Sequence, residues 1–212
     1  MSILLCTKSA DPRPILARFT EHRCVYLSWG AAGDPQSGAT PSTPPDIPPG
    51  WEVCDISLAP PAPETLREAG LIVAALPPAA WQEPNGAVTA ERLRAVSATA
   101  ALLLLGPSVA YAGDQQAHDG PGLDLIPNTL VLHDLQAVPD LRGLLSVLSV
   151  RQTRLLALDG PVCVEYDPIT DSVTTSGEGS ALLAAFIQDG TSDQPTVRVQ
   201  ILPAGASSGW PA

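Results

Sequence analysis

Lys8, Ser9 and Asp11 fall in one short stretch, Thr7-Lys8-Ser9-Ala10-Asp11, between a strand-like run and a helix-like one. In a parallel α/β fold such a turn aims backbone amides and a helix dipole at a ligand, and anions bind there readily. Lys8 adds charge and Ser9 a hydroxyl. The turn lacks the glycines of GxGxxG and of the P-loop, so neither a dinucleotide nor a triphosphate held in the usual way is indicated. Asp11 has a structural reading too, as a helix cap followed by Pro12 at the first helical position. His133-Asp134 stands at the expected carboxyl end of another strand, the edge where ligand sites of parallel sheets open. Its imidazole is the side chain most easily tuned near neutral pH.

A third group, Asp114, His118 and Asp119, lies between two strand-like runs. Carboxylate and imidazole on a loop can bind a divalent ion or act as an acid–base pair. Their spacing is that of no defined metal motif, so no metal ligand is assigned. If the loops meet at one edge, Asp114, His118 and His133 form the centre of a metal-dependent hydrolase. A nucleophile elbow is missing: Ser108 follows Gly106-Pro107 and Ser28 sits inside a strand, so GxSxG is absent. No sequence feature names a cofactor.

Trp29 and Trp51 flank a Pro- and Gly-rich stretch, and Trp81 follows Pro77-Pro78. Gathered at one edge they would make a patch for a partner; otherwise they pack loop bases onto the sheet. Cys6, Cys24, Cys54 and Cys163 each sit in a strand-like run with no CxxC pair. They read as buried structural thiols rather than a disulfide framework or metal ligands.

The elements that must position these residues are marked by two wholly apolar runs, Leu71 to Leu76 and Ala101 to Leu105. Strands covered on both faces need no polar alternation, so both read as central strands of a mostly parallel sheet. Further strands are expected at Ser2 to Thr7, Cys24 to Trp29, Trp51 to Leu58 and Thr129 to His133. Helices are expected after Asp11, over Pro63 to Gly70, from a Thr89 cap to Ser97, and over Val138 to Ser149. Long loops are expected at 30–50 and 106–128. After Arg151 the texture becomes β-rich, with Asp159-Gly160 as a hairpin turn, a last helix over Ser180 to Gln188 and a final strand over Thr196 to Leu202.

These readings predict an α/β protein: a three-layer Rossmann-like, mostly parallel sheet over residues 1–150, and a C-terminal β-rich extension over 151–203. A disordered tail over 204–212 is expected. The opening strand, Lys8 to Leu16 and the next strand are similar to the start of the Rossmann-like sensor domains of CRISPR-linked effectors. The resemblance covers about 30 residues and implies cyclic oligoadenylate binding across a dimer.

The formal charge of −11, from 22 acidic and 11 basic residues, repels phosphate backbones, so broad nucleic-acid binding is not expected. With no basic leader and no run of about 18 apolar residues, a membrane role is not expected and the cytoplasm is the expected setting. The leading expectation is a non-enzymatic α/β module that binds a protein partner, or a further copy of itself, in a larger assembly. One alternative is a small-ligand or nucleotide sensor using Lys8, Ser9, Asp11 and His133; the other is the hydrolase centred on Asp114, His118 and His133.

Overall fold

The computed structural model describes residues 2–30, 47–115, 122–151, 153–187 and 196–211. Of the candidate residues, His118 and Asp119 lie outside them, as does most of the 30–50 stretch. The chain opens with β1 (Ile3–Cys6), the short helix α1 (Arg13–Leu16) and β2 (Cys24–Ser28). Next come β3 (Glu52–Asp55), α2 (Pro63–Arg67), β4 (Leu71–Ala74), α3 (Pro78–Gln82), α4 (Pro84–Val96) and β5 (Ala101–Leu105). A 3-10 turn over Gly106–Tyr111 leads to β6 (Gly113–Gln115), β7 (Ile126–Leu132) and α5 (Leu141–Arg151). The last third is all strand: β8 (Arg154–Asp159), β9 (Val162–Asp167), β10 (Ser172–Gly177), β11 (Ser180–Ile187), β12 (Thr196–Leu202) and β13 (Ser207–Gly209).

The α/β class is as expected, but one Rossmann-like sheet is not. There are two sheets. The first has the order β13-β10-β9-β1-β5-β4-β2-β3, and the second β12-β11-β8-β7-β6. In the first, β1, β5, β4, β2 and β3 run parallel, while β9, β10 and β13 continue it antiparallel. The chain after residue 150 is thus shared between both sheets.

Side-chain alternation explains the layering, because successive residues of a strand face opposite ways. Ile3, Leu5, Leu102 and Leu104 point into a large core shared with α4 and with Leu156, Leu158 and Leu183 of the second sheet. Leu4, Cys6 and Leu103 point the other way, toward Ile15, Leu16 and Phe19. The far face of the second sheet, with Leu130, Leu155 and Leu182, is covered by Leu141, Leu144, Leu145 and Leu148 of α5. Strands in the middle of such a stack are apolar on both faces, which is why the two apolar runs were legible.

The same cause hid β11. Leu182, Leu183, Phe186 and Ile187 give it a helix-like spacing, yet Ala181 and Leu183 face the shared core while Leu182 and Ala184 face α5. It is a strand hydrogen-bonded on both sides, to β8 and to β12. The expected loop over 106–128 contains the 3-10 turn, β6 and the start of β7. Thr89 is no cap: it is buried inside α4, its hydroxyl donating to the carbonyl of Asn85 at 2.7 Å. The tail expected to be disordered carries β13, and the Trp210 indole donates to Asp171 at 3.1 Å while lying 4.2 Å beneath the Arg154 guanidinium.

The cysteine expectation also needs correction. Cys6 and Cys163 stand opposite each other in the β1–β9 ladder and form a disulfide, while Cys24 and Cys54 are free. Sequence spacing carries no sign of a pair brought together only by the register of two distant strands. Among the described residues no helix is long and apolar enough to cross a membrane.

Candidate functional site

The ends of strands from both sheets line one cleft. Parallel pairing of β1 with β5 sends Thr7-Lys8-Ser9 and Gly106-Pro107 out of the first sheet side by side. Parallel pairing of β7 with β8 sends His133-Asp134 and Asp159-Gly160 out of the second sheet in the same way. The chain then crosses at Gly160 from the second sheet to the first, where β9 runs back along β1. These exits enclose a cleft of about 320 Å³.

Its walls are fixed by local hydrogen bonds. Thr7 is clamped to the crossing: its hydroxyl donates to the Gly160 carbonyl at 2.9 Å and accepts from the Val162 amide at 3.1 Å. Its own amide donates to the Val162 carbonyl. Asp134 caps a 3-10 turn by accepting from the Gln136 amide at 2.9 Å, and the Gln136 side chain donates to Asp159 at 3.1 Å. Gly106, at φ +56°, turns the chain from β5 toward Pro107 in a conformation that disfavours other residues.

Lys8, Ser9 and His133 line this cleft, while their side chains have no hydrogen bond or ion pair among the described residues. Lys8 and Ser9 are exposed and His133 is half-buried. Asp11 does not line the cleft. It binds Arg13, accepting from the Arg13 amide at 3.0 Å and from the guanidinium at 2.9 Å. Those bonds hold its carboxyl below the usual range.

The expected grouping of Asp114 with His133 does not form. Asp114 accepts from the amides of Asn128 and Thr129, near the start of β7, whereas His133 follows its end. At 3.2–3.4 Å per residue, the intervening strand keeps them more than about 12 Å apart. Among the described residues no group of three or more His, Cys, Asp or Glu could hold a metal ion. The three tryptophans do not gather either. Trp81 is buried and stacked on Tyr111, their rings 5.3 Å apart, while Trp29 and Trp51 pack against the cores on opposite faces of the first sheet.

Sequence reasoning missed Thr7, Pro107, Gln136 and Gly160 as parts of the cleft. Asp159-Gly160 looked like a hairpin turn because the crossing between sheets leaves no local mark. One available signal was overlooked: Lys8 is the sole lysine, against ten arginines.

No family model matches the sequence. No curated protein matches it either. Its fold is similar to that in a crystal structure of a peptidase from an acI-B1 Actinobacterium, with a TM-score of 0.58 and 14% identity. The likeness covers 99% of this chain and 96% of that one. At this identity the likeness shows the fold alone. It still corrects the leading expectation of a non-enzymatic module: the fold is one that carries a peptidase. Missing GxSxG or GxGxxG motifs, which belong to other folds, are no argument against catalysis on it.

Proposed function

We propose that the chain is a hydrolase of the acyl-transfer type, working in the cleft between the two sheets. The observation that carries this reading is the convergence on one concave site of Lys8, Ser9 and His133, whose side chains have no hydrogen bond or ion pair among the described residues. The peptidase-like fold supports it. Ser9 Oγ adds to a substrate carbonyl carbon while the His133 imidazole takes its proton. The same proton passes to the departing nitrogen or oxygen as that bond breaks. Water, deprotonated by His133, then cleaves the acyl–Ser9 ester and restores the hydroxyl. Catalytic hydrogen bonds of this kind tighten only when substrate is bound.

Labelling with a fluorophosphonate, followed by peptide mapping, tests the nucleophile. Hydrolysis of a panel of peptide amides and activated esters tests the chemistry. Label on Ser9, with Ser9→Ala and His133→Ala each slowing turnover by about 100-fold or more, is the expected result. A Ser9→Ala protein that turns over as fast as the parent would overturn the assignment. The Cys6–Cys163 disulfide points this proposal to an oxidising compartment rather than to the cytoplasmic setting expected from sequence, because such bonds are rare in a reducing cytosol.

A further inference from the structure

We infer that the cleft recognises its substrate through a carboxylate held by Lys8, the substrate class being a short peptide or N-acyl amino acid with a free carboxyl end. This rests on the hydrolase reading of the same site. The first argument is that Lys8 is the one lysine or arginine among the described residues that line it. Arg13, Arg18, Arg23 and Arg154 are paired with carboxylates, and Arg92 and Arg94 donate to backbone carbonyls. Arg67, Arg142, Arg151 and Arg198 are not in the lining of the cleft, whereas Lys8 lines it with no hydrogen bond or ion pair among the described residues.

The second argument is size. A volume of about 320 Å³ is near the lower end for small-molecule sites and matches a ligand of one or two residues. The third is charge. The chain carries −11, and Asp134 stands in the wall itself, so an anion is held only at contact with a local cation. One ammonium balances one carboxylate. A phosphate dianion is better matched by an arginine fork, and among the described residues no arginine lines this cleft.

Because Lys8 is the only lysine, protein grown with 13C-labelled lysine gives a single side-chain signal. We expect that signal to shift saturably with N-acetylglycine and not with neutral N-acetylglycinamide. The same shift in Ser9→Ala separates recognition from catalysis: if hydrolysis fails while the shift persists, only the hydrolase reading falls. No shift, or an equal shift with the amide, overturns the inference. A tighter response to inorganic phosphate than to N-acetylglycine overturns it in favour of a phosphate site. In turnover assays Lys8→Gln should abolish a preference of at least about 10-fold for the acid over its amide, through KM rather than kcat.

Discussion

Breaking the Cys6–Cys163 disulfide removes a cross-link between residues 157 positions apart. The paired cysteines face each other in a ladder that persists without the bond, so the main change is greater freedom of the unfolded chain. For a loop of this length the chain-entropy relation gives about 5 kcal/mol at 25 °C, and measured disulfides usually deliver 2–4 kcal/mol. A loss of about 3–5 kcal/mol is therefore expected. With a urea slope near 3 kcal/mol per M, the unfolding midpoint should fall by about 1–1.7 M. The assay is equilibrium urea unfolding followed by the fluorescence of the four tryptophans, with and without dithiothreitol. The double variant Cys6→Ala/Cys163→Ala should match the reduced parent and ignore reductant. Cys24→Ala/Cys54→Ala should keep the full response, since both of those thiols are free. Under denaturing, non-reducing conditions two thiols should titrate; four, or a midpoint indifferent to reductant, would refute the reasoning.

All three tyrosines should resist ionisation in the folded protein. Burial, helped by the hydrogen bond to Asp171, pushes Tyr166 up to about 12, and burial raises Tyr26 and Tyr111. Because the fold favours the neutral phenol, this stabilisation is full below about pH 10 and is lost as pH rises through about 12. Absorbance at 295 nm checks it, and half-ionisation near pH 10 with the fold intact contradicts it. Gly86→Ala places a methyl group against the Ala80 carbonyl where α4 crosses α3, a clash that backbone must relieve. A loss of about 1–3 kcal/mol is expected by thermal melting, and an unchanged Tm counts against that packing. Deleting residues 204–212 removes β13 and the Trp210 contacts with Asp171 and Arg154. The expected cost is about 2 kcal/mol, or about 4–8 °C in Tm, whereas a disordered tail would cost nothing.

Legibility in the sequence followed local pattern. Leu71 to Leu76 and Ala101 to Leu105 announced buried strands because no polar residue interrupts them, and α5 announced itself through leucines at helical spacing. Lys8, Ser9, Asp11 and His133 were singled out separately, from the rule that sites open at the carboxyl ends of parallel strands, and the first two and the last line one cleft. That those three share one cleft was not readable, because it depends on two sheets packing face to face over a shared core. Leu182 and Leu183 misled for the opposite reason: a strand buried on both faces carries no period of two. Asp114 looked like chemistry and instead secures two amides at the start of β7.

The strand order of the first sheet has a consequence for how the chain is made. β1 is synthesised first, yet one of its two neighbours, β9, begins at residue 162, and the outermost strand lies at 207–209. At about 5–20 residues per second, β9 follows β1 by roughly 8–30 s. During that interval β1 offers a bare edge, the kind that recruits strands from other chains. A fragment ending near residue 150 would keep that edge permanently. The two halves of this sequence are therefore one folding unit, completed from its last residues backward to its first.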